Sequence, residues 1–373
     1  MDPIQSNQRE EFLHIDVHLD EQAPHAGIIK ILKSLRPQWR AEDIQMKATC
    51  VFGTHVETNY FKHYSNFVSG QVFTEGITNQ LLGCYVGSVS EEGLVLVRIY
   101  GQMTELFVDR KKETEILSLL HVHGCGPELY CTFQNGMCYE FVKGRVLDDP
   151  LLRQPSVYRL IAAEMGKIHA IKPRAVASPT PVLWSKLSHY LQLLQSSEND
   201  APFCQRSSVQ QNVPRIDLLL NEMEDLKKHL NGIDSPTVLC HNDLLTKNII
   251  HNSTEGVVKF IDFEYADFNY QAYDIGNHFN EFAGVNNVDY SLYPSHELQM
   301  DWLTIYLQSL RHYTGRDCAI TKRELQELYI KVCKFSLVRF LMMLFISTAA
   351  SHLSWGLWAL LQAKHSTIDF DFL

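Results

Sequence analysis

The run Cys240-His241-Asn242-Asp243-Leu244-Leu245-Thr246-Lys247-Asn248 is answered downstream by Phe260-Ile261-Asp262-Phe263-Glu264. An Asp, an Asn five residues later and a second Asp beyond one hairpin are the polar parts that phosphoryl transfer needs. The first carboxylate orients an attacking hydroxyl and accepts its proton. The Asn and the second Asp hold the divalent cations that bridge nucleotide phosphates. Asp243 is therefore the candidate base, and Asn248 and Asp262 are the candidate metal ligands. A His-x-Asp triplet alone has little specificity; the spacing of both ligand types supplies it. The plain alternative is a buried polar turn between strands.

The elements that must position these residues are legible around them. Thr237-Val238-Leu239-Cys240 is a short apolar strand that delivers Asp243 on a loop. Asn248–His251 and Val257–Ile261 are two strands joined by the turn-rich Asn252-Ser253-Thr254-Glu255-Gly256. That hairpin brings Asn248 and Asp262 to one end of the sheet. Further upstream, residues 1–45 read as a helical lead-in, with Ile28, Ile31, Leu32 and Leu35 at helical spacing before Pro37. Residues 48–71 show no steady period and read as an irregular insert. Val72–Thr74, Leu81–Val86 and Leu94–Tyr100 predict a small antiparallel sheet, and Glu105–Leu120 a helix. Strands follow near Leu129–Phe133 and Met137–Phe141, around the turn Asn135-Gly136. Beyond Gly144 the pattern is mostly helical, clearest over Val157–Ile171, with a Pro-rich loop at 173–182. The expected fold is α+β and two-lobed: residues 1–143 form a sheet-bearing N-terminal lobe, and residues 144–373 a mainly helical C-terminal lobe.

Composition sets outer bounds. A chain of 373 residues with 45% apolar content can bury a large core. Its net charge of −10 lacks the basic face that a nucleic-acid groove requires, so no nucleic acid is expected as a partner. The nine cysteines are odd in number and scattered without a C-x-x-C pair, which predicts free thiols in a reducing cytoplasm rather than zinc or a disulfide framework. The polar start Met1-Asp2-Pro3-Ile4-Gln5 does not have the form of a secretory signal. Phe340–Gln362 contains no Asp, Glu, Lys or Arg and is long enough to cross a bilayer. Ser347, Thr348, Ser351, His352 and Ser354 within it instead favour buried C-terminal helices, and no membrane span is expected.

Two features belong to a nucleotide. Phe73-Thr74-Glu75-Gly76-Ile77-Thr78-Asn79-Gln80 joins the first two predicted strands, and one Gly with small polar side chains can set backbone N–H groups against phosphate oxygens. Without the Gly-x-Gly-x-x-Gly density of protein kinases it is a weak motif, and an ordinary hairpin turn is its plain reading. Arg98, inside the apolar strand Leu96–Tyr100, needs a partner if buried. Nucleotide phosphates and a carboxylate on the following helix would supply two. Glu113 shares a helical face with Leu117 and Leu120 and is the candidate carboxylate, with Glu115 second. Glu140-Phe141-Val142 would be the hinge between the lobes.

The blocks His241-Asn242-Asp243 with Asn248, Ile261-Asp262-Phe263-Glu264-Tyr265 and Asn269-Tyr270-Gln271-Ala272-Tyr273-Asp274-Ile275-Gly276-Asn277-His278-Phe279 resemble the choline/ethanolamine kinase family, over about Val72 to Leu373. Asn280-Glu281-Phe282-Ala283-Gly284-Val285 resembles its ethanolamine branch. The resemblance implies a protein-kinase-like fold, ATP and Mg²⁺ as cosubstrates, and transfer to a small amino alcohol, feeding phosphatidylethanolamine synthesis. It implies Asp243 as base, Asn248 and Asp262 as metal ligands, and Gly76, Thr78, Asn79 and Arg98 as nucleotide contacts. Tyr265, Glu281, Trp355 and Trp358 would line the acceptor pocket, with His241 and Asp274 supporting the catalytic loop. Trp355 and Trp358 stand at i, i+3, and an indole face suits a cationic ammonium. Self-association is left open.

Three departures from the family accompany the match. Residues 48–71 and Arg339–Ala349 look inserted, and the chain stops at Asp371-Phe372-Leu373 where family members continue into a further aromatic-bearing helix. A splice variant would show these features, so a non-catalytic isoform stands as the alternative, and a choline or other amino-alcohol kinase as another. Five residues after Glu281, choline kinases carry an aromatic, whereas this chain carries Asn286. A quaternary ammonium is held by aromatic faces; a primary ammonium also wants acceptors, which an amide oxygen supplies. Asn286→Tyr is therefore expected to move the kcat/KM ratio toward choline, measured with both alcohols; an unmoved ratio would contradict the argument.

Overall fold

The computed structural model describes residues 12–20, 22–48, 79–87, 93–101, 104–173, 179–196, 216–284, 289–316 and 318–337. These divide between two compact units. The first runs up to Thr104 and includes Pro127–Lys143; the second takes Glu105–Gly126 and the residues from Gly144 onward. The predicted strand Val72–Thr74, the stretch 49–71 and the apolar run 340–362 lie outside the described residues. No helix among the described residues is long and apolar enough to cross a membrane.

Among the described residues, the first unit is a six-stranded sheet with one α-helix. In chain order its elements are β1 (His14–Ile15), α1 (His25–Leu35), β2 (Ile44–Ala48), β3 (Asn79–Val86), β4 (Val95–Tyr100), β5 (Leu129–Phe133) and β6 (Gly136–Glu140). The strand order is β1-β5-β6-β4-β3-β2. Every pair is antiparallel except the short edge pair of β1 with β5. The expectation of an all-helical lead-in is corrected here, because the segments flanking α1 become the sheet's two edges. The β4 alternation explains the core: Val95, Val97 and Ile99 face Ile28, Ile31 and Leu32 of α1, with Cys84, Cys131, Phe133 and Cys138 from neighbouring strands. Each such apolar side chain contributes about 1.5–3 kcal/mol on burial. Arg98 alternates to the opposite face of β4, with Leu96, and is itself buried.

The second unit holds α2 (Arg110–Val122), β7 (Arg145–Val146), α3 (Pro155–His169), α4 (Leu183–Ser196), α5 (Ile216–Leu230), β8 (Thr237–Cys240), β9 (Ile249–Asn252), β10 (Val257–Phe260), β11 (Asp267–Tyr270), α6 (Gln271–Glu281), α7 (His296–Thr314) and α8 (Lys322–Leu337). Helix α2 starts later than its apolar pattern predicts because the Asp109 side chain caps it, accepting from Lys112 N at 3.1 Å. Two small antiparallel sheets, β10-β9-β7 and β11-β8, carry the polar loops.

Helices α3 and α7 cross closely, and glycine permits it. A Cβ built on Gly166 would lie 2.6 Å from the backbone oxygen of Tyr306 and 2.9 Å from Ser309 Cβ. Helix α6, buried from Gln271 to Asn280, approaches α8 the same way at Gly276, where a Cβ would meet Ser336 Oγ at 2.8 Å. A backbone atom cannot swing aside as a side chain does. Gly166→Ala is accordingly expected to lower stability by about 1–3 kcal/mol through overpacking, read as a fall in the urea midpoint.

Candidate active site

Strand β8 pairs with β11 in the register Cys240 with Asp267 and Thr237 with Tyr270, and its end releases His241-Asn242-Asp243 into the interior of the second unit. Asn242 sits at φ 65°, in the left-handed region that Asn and Asp tolerate best. This turn is pinned from three sides. The Asn242 amide donates to the Tyr265 carbonyl at 3.0 Å. Its side-chain oxygen accepts from Asn269 Nδ2 at 2.9 Å, and its carbonyl accepts from Asn277 Nδ2 at 3.4 Å.

The Asp274 carboxylate on α6 fixes the loop's backbone. Oδ2 accepts from the His241 backbone N–H at 2.9 Å, and Oδ1 from that of Asn242 at 2.7 Å. His169 Nε2 lies 3.0 Å from Oδ2, and its Nδ1 lies 2.8 Å from the Tyr306 hydroxyl, which in turn accepts from Gln271 Nε2 at 2.9 Å. Since a carboxylate only accepts, His169 donates through Nε2 and receives the Tyr306 proton at Nδ1. Burial alone would raise the Asp274 carboxyl; the hydrogen bonds from His169 and from the His241 backbone N–H outweigh it and hold it below its usual value. His169, Cys240 and Asp274 gather ligand atoms within 4.8 Å of one another. The hydrogen bonds of the carboxylate and imidazole, with Cys240 Sγ donating to Tyr270 O at 3.7 Å, make this a structural node rather than a metal centre.

His241 is likewise assigned by its partners. Its Nε2 faces the Ile261 carbonyl at 2.9 Å and must donate, so Nδ1 accepts the Asp243 backbone N–H at 3.3 Å. Burial holds its pKa below the ordinary value, consistent with a neutral ring. Through it, the residue before Asp262 is tied to the residue before Asn242. His278 on α6 is also neutral: burial lowers its pKa to about 4, and its Nδ1 lies 3.1 Å from the Leu244 carbonyl.

The chemical groups then converge. Asn248 Nδ2 donates to the Asp243 carbonyl at 2.9 Å and reaches its Oδ2 at 3.5 Å. This fixes the amide orientation, so that Asn248 Oδ1 is a buried acceptor; it and Asp243 Oδ1 have no hydrogen-bond partner among the described residues. The hairpin register Ile249 with Phe260, extended by Ile261 N–H to the Asn248 carbonyl at 3.0 Å, sets Asn248 and Asp262 at one end of β9 and β10. Asp262 also adopts a left-handed backbone, φ 63°. Burial and repulsion from Asp262, Glu281 and Glu264 push the Asp243 carboxyl well above its ordinary value, while Lys186 opposes them. An amide oxygen and a carboxylate beside a carboxylate raised by repulsion form an all-oxygen donor set that fits a hard divalent cation.

Glu113 is buried, as its helical face predicts, and its carboxylate meets Arg110 at 2.9 Å; Arg110 also reaches Glu264 at 3.1 Å. Asn79 opens β3, opposite Tyr100, and Arg98 belongs to the first unit. Tyr265 is buried, and Glu281 ends α6. Gly76, Thr78, Asn286, Trp355 and Trp358 lie outside the described residues. Sequence reasoning missed Arg110, Lys186, His169, Tyr306, Asn269 and Asn277. His169, ending an apolar helix, and Lys186, between apolar positions in Leu183-Trp184-Ser185-Lys186-Leu187, carried the only local signals.

The family model for choline/ethanolamine kinase matches residues 71–373. Human ethanolamine kinase 2 is 44% identical over 362 residues, covering 97% of this chain and 80% of that protein. Mouse ethanolamine kinase 1 is 45% identical over 354 residues, covering 95% and 87%. Among solved structures, a Plasmodium vivax ethanolamine kinase superposes with TM-score 0.67 at 29% identity, covering 83% of this chain and 80% of its own. A choline kinase from Cryptosporidium parvum gives 0.66 at 22%, covering 93% and 90%, a likeness of fold. The chain belongs to the choline/ethanolamine kinase family, and the α+β kinase-like fold expected from the sequence is the one found.

Asp274→Asn places an NH2 group among three N–H donors and removes a buried charge. It is expected to cost about 3 kcal/mol of stability, seen as a lowered urea midpoint. An unchanged midpoint would refute the bracing role.

Proposed function

We propose that this protein transfers the γ-phosphoryl group of ATP to the hydroxyl of ethanolamine, giving phosphoethanolamine and ADP. The observation that carries this reading is the buried Asp243–Asn248 pair beside Asp262, in a chain 44% identical to a human ethanolamine kinase. Asp243 accepts the proton of the acceptor hydroxyl. The hydroxyl oxygen bonds to the γ-phosphorus as the bond to the β–γ bridging oxygen breaks. Asn248 and Asp262 would hold Mg²⁺, which would supply charge neutralisation to the phosphates when bound. A divalent cation held there would offset the excess of carboxylates that raises Asp243. His241 and Asp274 orient the loop.

Gly76, Thr78, Asn79 and Arg98 are assigned to the nucleotide, with Glu113 supporting them. Tyr265, Glu281, Trp355 and Trp358 are assigned to the ammonium end of the acceptor. The product would feed phosphatidylethanolamine synthesis. The seven described cysteines are all free thiols, which supports a reducing, cytoplasmic setting.

The test is ATP consumption by the purified chain with ethanolamine or choline, beside Asp243→Asn. Turnover favouring ethanolamine is expected, with the variant reduced about 10²–10⁴-fold. Folded protein that turns over neither alcohol, or prefers choline, would overturn the assignment.

A further inference from the structure

Lys186 on α4 is absorbed by none of the roles above. It stands three residues after Leu183 and four before Tyr190, at the border of that helix's buried face, and is itself half-buried. Its ammonium lies over the Tyr265 ring, 4.6 Å from the centroid. Tyr265 is in turn joined to the catalytic loop, its carbonyl accepting from the Asn242 side chain at 3.0 Å. Charged groups that act on this ammonium are Asp267 from β11, Asp243 from the loop after β8, Glu264 from the turn before β11 and Lys112 from α2.

Two of those carboxylates have other cations. Glu264 is paired with Arg110 at 3.1 Å and Asp267 with Lys112 at 2.5 Å. The catalytic loop's own lysine, Lys247, is turned toward Asp148 at 3.7 Å. Lys186 makes no hydrogen bond and no ion pair within 4.0 Å among the described residues, although it lies in the field of the base. A half-buried ammonium held on one side by a ring and bonded to nothing is costly unless an anion completes it.

The reaction supplies that anion. A hydroxyl within hydrogen-bond reach of Asp243 has the phosphorus at bonding distance from its oxygen. A cation that acts on Asp243 therefore also acts on the three equatorial oxygens of the phosphoryl group, over which negative charge spreads in transfer. Asp243, Asp262, Glu264 and Glu281 together repel such a group. We propose that Lys186 is a catalytic residue whose ammonium holds the oxygens of the phosphoryl group during transfer and the phosphate of the product. The inference rests on the phosphotransferase reading of the Asp243 site. No atom is transferred to Lys186; the bonds formed and broken are those given above.

The experiment compares Lys186→Met and Lys186→Arg with the unaltered chain, by calorimetric binding of phosphoethanolamine and of ethanolamine and by steady-state turnover. Lys186→Met is expected to weaken phosphoethanolamine roughly tenfold or more while ethanolamine binding changes little. It should lower kcat about 10²-fold, the usual loss for one transition-state donor. Lys186→Arg should recover much of both. Burial lowers the lysine's pKa to about 8, so its charge is present below that pH and lost above it. The unaltered chain should then lose kcat/KM as pH rises through about 8, whereas Lys186→Arg, charged throughout, should lack that limb.

Equal weakening of both ligands, or unchanged phosphoethanolamine binding, would overturn the proposal. Tighter ethanolamine binding in Lys186→Met would also overturn it, because the lysine would then be occupying the acceptor ammonium's place on Tyr265. Should Lys186→Met not fold, the pH limb of Lys186→Arg decides alone, and a limb shared with the unaltered chain refutes the role. Absent ethanolamine turnover with Lys186-dependent phosphoethanolamine binding would count against the proposed reaction and not against this residue.

Discussion

The second unit depends on one carboxylate. Asp274 receives two consecutive backbone N–H groups and an imidazole, and no other side chain among the described residues of the site gathers donors from both the catalytic loop and α3. A buried carboxylate is tolerable only when hydrogen-bonded and charge-compensated. The chain Gln271 to Tyr306 to His169 fixes the donor of one such hydrogen bond from α6, α7 and α3. The consequence is mechanical: three helices must be in place before the His241-Asn242 backbone has its acceptors. The close α3–α7 crossing at Gly166 serves the same end, since a wider spacing would lengthen the His169–Tyr306 hydrogen bond beyond useful geometry.

With the loop held, the site is electrostatically one-sided. Asp262, Glu264 and Glu281 act on Asp243, and the left-handed backbones at Asn242 and Asp262 bring the two polar turns together. Such conformations persist when the surroundings over-determine them, and here Asn269, Asn277, Tyr265 and Ile261 do so. The crowding of like charges around Asp243 is unfavourable in the protein alone. The pairs Arg110–Glu264 and Lys112–Asp267 limit that repulsion on the α2 side without cancelling it at the base.

Much of this was legible along the chain. The strand that delivers Asp243, the hairpin joining Asn248 to Asp262 and the inward face of Glu113 follow from period and turn chemistry, which are local. The edge strands β1 and β2 were not, because a two- or five-residue strand becomes one only when a sheet offers it a partner. The late start of α2 was decided by a single capping side chain. His169 and Tyr306 lay beyond any sequence rule, His169 being 105 residues from Asp274 and 137 from Tyr306.

The sequence by itself determined the chemistry available: two acids and an amide at fixed spacing, a family membership carried by residues 71–373, and a net charge of −10. Those are properties of residue type and short separation. Only the tertiary structure decided which groups are ionised, which tautomers the histidines take and where Lys186 puts its charge. Each of these depends on burial and on partners far away in the chain, and no window of sequence contains them.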